Sequence, residues 1–198
     1  MSEFDERIRS LLAAGAIGQA TTLALRELGP ELLGFLSGVL SNDDDADEVF
    51  SAWSERLWRS LSGFEGRCSL RTWIYVLARR ELGRFRQGLR RHEDGRVPIS
   101  ELQEVLAAVR TRTRSTLAAN RRDTLTRLRD ELPIEDRMLL ILRVDRNLSW
   151  DEIALAFAED SDAFSDEDRK RASARLRKRF QLVKQRLMAR ARDAFAPG

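Results

Sequence analysis

Arginines and aromatic rings are interleaved between positions 64 and 79, where the chain reads Phe-Glu-Gly-Arg-Cys-Ser-Leu-Arg-Thr-Trp-Ile-Tyr-Val-Leu-Ala-Arg. Guanidinium forks hold phosphates, and flat rings stack on unpaired bases, so this mixture suits the handling of a separated nucleic-acid strand. The same residues also fit a plainer pattern, in which Trp73 and Tyr75 are core aromatics and the arginines solvate a helix face. A second cluster runs from 169 to 192, where Arg and Lys recur without a single acid. A third is the acidic block Asp43-Asp44-Asp45-Ala46-Asp47-Glu48. One basic surface and one acidic surface point to an anionic polymer and a basic partner, or to ordinary solvated helix faces.

Classical catalytic chemistry has little material. Cys68 is the one cysteine and His92 the one histidine. Neither a zinc cluster, a nucleophilic triad nor a Gly-rich phosphate loop can be assembled. We therefore expect no enzyme and no cofactor or metal, with carboxylate-only chemistry as the remaining catalytic option. The 198 residues are 42% hydrophobic and 34% charged, with a net charge of +3, which fits a globular chain. Apolar runs are too short to cross a membrane, and Met1-Ser2-Glu3-Phe4-Asp5-Glu6-Arg7 is not a signal peptide. The expected location is the cytoplasm, without membrane insertion.

The elements that must position these clusters read as helices. Good helix formers dominate, and β-branched runs are absent. Ser2-Glu3-Phe4-Asp5 can cap a first helix, and a second carries Leu23, Leu25, Leu28, Leu32, Leu33, Phe35 and Leu36, with Gly29-Pro30 as a candidate interruption. The acidic block opens the next helix at the positive end of its dipole. Ala46, Val49, Phe50, Trp53 and Leu57 form its stripe, which Trp58 and Leu61 widen. Residues 62–69 read as a loop, and Leu70, Trp73, Ile74 and Leu77 share a face of the helix that follows. Residues 88–98 read as a linker, and Ser100-Glu101-Leu102-Gln103 as the capping box of a short connector helix. Leu132-Pro133 leads into a buried helix around Met138-Leu139-Leu140-Ile141-Leu142. Ser149-Trp150-Asp151-Glu152 caps another, and Ser165-Asp166-Glu167-Asp168 opens a long basic one with the stripe Leu176, Phe180, Val183 and Leu187.

From about residue 23 to residue 187 the chain resembles the extracytoplasmic-function (ECF) RNA polymerase sigma factors, as a divergent member. The carriers are Phe64-Glu-Gly-Arg-Cys-Ser-Leu-Arg-Thr-Trp with Tyr75 and Ala78-Arg79, preceded by Asp45-Ala46-Asp47-Glu48-Val49 and Trp58-Arg59-Ser60-Leu61. Downstream, Leu132 to Arg143 and Leu148-Ser149-Trp150-Asp151-Glu152-Ile153-Ala154 are similar to the family's helix-turn-helix. The resemblance implies an all-α fold of two small helical domains, an N-terminal bundle and a C-terminal helix-turn-helix domain, joined by a linker. The expected division is an N-terminal helix at 1–19, a polymerase-docking and promoter-melting domain at 20–87, a linker with a short helix at 88–119, and a DNA-binding domain at 120–198.

The same resemblance implies core RNA polymerase and promoter DNA as partners, and admits an anti-sigma protein. It places polymerase binding on Asp45, Asp47, Glu48, Ser51, Arg56 and Trp58. Promoter melting and the proximal element fall to Arg67, Ser69, Arg71, Thr72, Trp73, Tyr75, Arg79, Arg80 and Arg84. Duplex DNA at the distal element falls to Ser149, Arg171, Arg175, Arg177 and Lys178; of these, Arg171, Arg175 and Lys178 lie off the apolar stripe. The chain departs from the family pattern at Ser51-Ala52, where a Gln-acid pair is usual, at Arg80 for Asn and at Arg84 for Asp. It departs most at residues 158–165, an acidic stretch where a helix-turn-helix has a turn of roughly three to four residues. That stretch is expected to weaken or regulate distal-element binding, so deleting residues 159–163 should tighten it. Two other readings stay open: a helical adaptor that binds protein alone, and a helix-turn-helix regulator that works without polymerase.

Overall fold

The computed structural model describes residues 2–88, 99–120, 124–158 and 164–195. The linker stretch at 89–98, with His92, and residues 159–163 of the acidic insertion lie outside the described residues. The fold is all-α, with no strand among the described residues. The order is α1 (Glu3–Ala13), α2 (Ile17–Leu40), α3 (Asp43–Ser60), a 3-10 turn at Leu61–Gly63, α4 (Leu70–Arg86), α5 (Ile99–Asn120), α6 (Thr124–Asp130) and α7 (Ile134–Leu140). A π-helical turn (Ile141–Asp145), α8 (Trp150–Ala156) and α9 (Asp166–Phe195) complete it.

Local signals set most of the helix starts. Ser2 and Asp5 form a capping box on α1, and Ser149 and Glu152 form another on α8. The Asn42 side chain accepts from the Asp44 and Asp45 amides at the start of α3, whose first turn carries Asp43, Asp44 and Asp45. Ser165 accepts from the Asp168 amide at the start of α9.

Pro30 does not interrupt its helix, in correction of the expectation: α2 runs from Ile17 to Leu40 with the proline inside. A proline removes the amide that would bind the carbonyl four residues earlier, here Arg26. That carbonyl accepts instead from Arg112 Nη2 at 3.3 Å. The connector also differs from the expected short helix, since α5 spans Ile99–Asn120. Its Val105, Val109 and Thr113, one turn apart, are buried. Val109 sits over Gly29, where an added Cβ would lie 3.3 Å from both of its γ-methyls.

The apolar core is continuous between the N-terminal helices and the C-terminal ones. It runs from Ile8 through Phe50, Trp53, Ile74 and Tyr75 to Leu139, Ile153 and Leu176. Glycines on α2 permit the approach: an added Cβ would meet Ile141 Cδ1 at 3.0 Å from Gly38, and Arg146 Nη2 at 2.9 Å from Gly34. A buried arginine ties the same seam. Arg137 of α7 donates to the Val39 carbonyl at 2.7 Å and the Leu132 carbonyl at 3.2 Å, and also to Ser41 Oγ and the Asp130 carbonyl. Its charge thus serves the open C-terminal end of α2, where carbonyls lack helical partners.

Candidate nucleic-acid interface

The interleaved segment builds the start of α4. Ser69 is its N-cap and accepts from the Thr72 amide at 3.1 Å. A carboxylate reinforces the cap from a distance: Asp5 of α1 accepts from the Leu70 amide at 2.9 Å. The sequence pairs Asp5 only with Ser2, so this role depends on a contact between residues far apart in the chain.

Glu31 of α2 organises the next turn. Its Oε1 accepts from Tyr75 Oη at 2.6 Å and from Arg71 Nε at 2.8 Å. Arg71 Nη2 also donates to the Arg146 carbonyl at 2.8 Å, at the end of the π-helical turn. Burial disfavours the Arg71 charge, but the Glu31 carboxylate outweighs it and the pKa is raised. Burial and the negative Glu31 beside it also push the Tyr75 hydroxyl well above its ordinary range.

Tyr75 is a core residue at 1% exposure, with its ring edge-on to Phe35 at 5.1 Å. This corrects the expectation that it supports a melted strand, because no face of the ring is open to a base. Thr72 is also buried, in correction of its expected place on a melting face, and its hydroxyl donates to Glu152 Oε1 at 3.1 Å. Trp73 is half-buried against Phe64, with ring centroids 5.2 Å apart.

The remaining arginines of this face are distributed as follows. Arg79 lies 3.9 Å from Glu135 of α7 and covers the Phe157 ring at 5.2 Å. Arg86 approaches the same Glu135 at 3.7 Å. Arg84 pairs with Glu81 at 3.2 Å, and exposed Arg67 with Glu65 at 2.6 Å. Arg80 is half-buried on α4. Carboxylates of the C-terminal half, Glu135 and Glu152, therefore lie beside α4, against Arg79 and Thr72.

On α3, Trp53 is fully buried and donates its Nε1–H to the Ile74 carbonyl at 3.2 Å, which fixes α3 against α4. Trp58 is half-buried and its Cη2 lies 3.3 Å from where a Cβ on Gly18 would be. Arg56 reaches across to Glu81 at 3.7 Å. Asp45 is half-buried and Glu48 exposed. Asp47 and Ser51 face α5: Arg110 donates to Ser51 Oγ at 2.6 Å, and both Arg110 and Arg114 pair with Asp47.

In the C-terminal half, Leu176 and Val183 of α9 are buried, while Arg171, Arg175, Arg177 and Lys178 are exposed. Arg171 pairs with Glu167, and Arg177 lies over Trp150 at 5.8 Å. Trp150 is also edge-on to Phe180 at 5.5 Å, which packs α8 on α9. Asp136 of α7 is buried and bound by Arg179 at 2.6 Å, locking α7 to α9. Exposed Ser149 spends its hydroxyl on capping α8, where it accepts from the Glu152 amide at 3.3 Å.

Residues 24–92 match the family model Sigma-70 region 2. The matched segment contains most of α2 and all of α3 and α4, so the docking and melting candidates lie inside it. The match covers about a third of the 198-residue chain and leaves α1 and α5 to α9 outside it. No curated protein matches the chain. Among the described residues, no helix is long and apolar enough to cross a membrane.

Three residues that organise the start of α4 and the seam with the C-terminal helices were not reachable from the sequence. Glu31, Asp5 and Arg137 act on partners dozens of positions away. Only Arg110 and Arg114 carried a usable signal, being one helical turn apart beside the buried Val105 and Val109 spacing.

Proposed function

We propose that this chain is a sigma factor of the extracytoplasmic-function type, which docks on core RNA polymerase through α3 and opens promoter DNA along α4. The observation that carries this reading is the region 2 match over residues 24–92, containing a capped helix with Arg71, Trp73 and Arg79 on its surface. Asp45, Asp47, Glu48, Ser51, Arg56 and Trp58 serve polymerase docking. Arg67, Ser69, Arg71, Trp73, Arg79, Arg80 and Arg84 serve the proximal element, with Ser69 acting as the cap that orients the helix.

The C-terminal helices act as a helix-turn-helix on duplex DNA at the distal element. The exposed cations Arg171, Arg175, Arg177 and Lys178 hold the backbone from a helix whose opposite side is packed. Ser149 contributes at the start of α8. Residues 158–165 temper this contact through their acids. Promoter binding along α4 requires that Glu135 and Glu152 withdraw, since carboxylates beside phosphates repel them.

Core polymerase is to be mixed with the full chain and promoter fragments, and unpaired thymines mapped by permanganate. Opening that depends on the chain is expected. Trp73→Ala should retain polymerase binding and lose opening, and normal opening by that variant would contradict the role of the ring.

A further inference from the structure

We infer that α5 is an internal surrogate for the polymerase element that docks on α3, so that polymerase must displace the connector helix before it can bind. This rests on the sigma factor reading above and extends it to the state of the free chain. The seat for α5 is built from both partners. Pro30 leaves the Arg26 carbonyl without its helical donor, and Arg112 supplies one at 3.3 Å. Gly29 removes the side chain that would keep Val109 away, so Val109 packs close to α2 beside Phe50, whose Cζ lies 3.6 Å from the same Cβ position. Arg110 then reaches Ser51 Oγ at 2.6 Å and Asp47 Oδ1 at 3.6 Å, and Arg114 reaches Asp47 Oδ2.

Asp47 and Ser51, one turn apart, are two of the candidate docking residues, and both are already satisfied inside the chain. Arg110 and Arg114 are also one turn apart. The shape and charge that α3 accepts are therefore those of a helix presenting two cations on one face, with an apolar residue beside them. A polymerase helix of that chemistry competes for the same acid and hydroxyl. While α5 is seated, the fraction of chain competent for docking falls, and the apparent affinity falls by the same factor.

The test measures binding of full-length chain to core polymerase in three forms. Arg110→Ala with Arg114→Ala weakens the seat without touching α3. Two partly exposed ion pairs contribute modestly, so binding about three- to tenfold tighter is expected. Gly29→Cys with Val109→Cys, in a Cys68→Ser background, places two thiols within bridging reach. Its oxidised form should lose polymerase binding, and reduction should restore it. Equal binding by the oxidised and reduced pair overturns the inference, as does an arginine double variant that binds no tighter than the parent. If neither the parent nor the arginine double variant binds core polymerase, the sigma factor reading falls and the surrogate falls with it, a result distinct from the other two.

Discussion

Replacing Arg137 by methionine should cost the chain more than any change to its exposed arginines. The side chain is 7% exposed and its donors serve the Val39 and Leu132 carbonyls, Ser41 Oγ and the Asp130 carbonyl. Methionine fills similar volume, so the loss is electrostatic rather than a cavity. Burial already lowers the Arg137 pKa, with Asp130 opposing, so the position tolerates the charge only because its acceptors are arranged around it. Each buried acceptor left without a donor costs about 1–3 kcal/mol, and the terms do not add fully. A total of about 3–5 kcal/mol is expected, the range for breaking a buried charged contact. At about 2–4 °C per kcal/mol for a chain of this size, the midpoint of thermal unfolding should fall by about 6–20 °C. The assay is circular dichroism during thermal and urea unfolding. Because Arg137 joins α7 to the end of α2, the variant should also unfold in two steps, the C-terminal helices separating first. Arg137→Lys should not rescue it, since one ammonium cannot span the same acceptors. A loss under about 1 kcal/mol would refute the reasoning, being no more than one ordinary hydrogen bond.

Other outcomes follow from the same contacts. Burial pushes the Glu152 pKa up, but hydrogen bonds from Ser149 and Thr72, with Arg71 nearby, more than offset this and leave it lowered. Its folded value therefore lies below its unfolded one, so its stabilisation is present above the ordinary carboxylate range and lost as pH falls through the folded value. Parent and Glu152→Gln should differ in urea midpoint at pH 7 and converge as pH falls below the ordinary carboxylate range; a constant difference would contradict this. Burial pushes the Cys68 thiol up to about 11 from 9.0, with Arg169 opposing and Asp5 and Glu152 adding to the rise. Alkylation by iodoacetamide at pH 8 should be about a hundredfold slower in the folded chain than after unfolding, and equal rates would exclude the shift. Tyr75→Phe removes a 2.6 Å bond to Glu31 and should lower stability by about 0.5–2 kcal/mol, read by urea unfolding.

The elements that were legible in the sequence are those set within a few residues. The acidic block starts α3, Ser149 with Glu152 starts α8, and the apolar spacing of Val49, Phe50, Trp53 and Leu57 names a face that is fully buried. Pro30 was misleading because the cost of a proline depends on whether its orphaned carbonyl finds a donor, and Arg112 lies 86 positions away. Tyr75 was ambiguous for a related reason. Composition cannot tell a ring that awaits a base from one whose hydroxyl is held by a glutamate on another helix. Arg71 and Arg79 were legible as arginines of a helix face, but not as residues engaged by Glu31 and Glu135, since charge patterns along a chain carry no distances.

Transcription from purified components tests the central claim most directly. Core RNA polymerase, the full chain and fragmented DNA of its own genome would be incubated with nucleotides, and the 5′ ends of the transcripts sequenced. The sigma factor reading predicts a small set of start sites that need the chain and disappear with Arg71→Ala. Transcripts no different from core polymerase alone would contradict it.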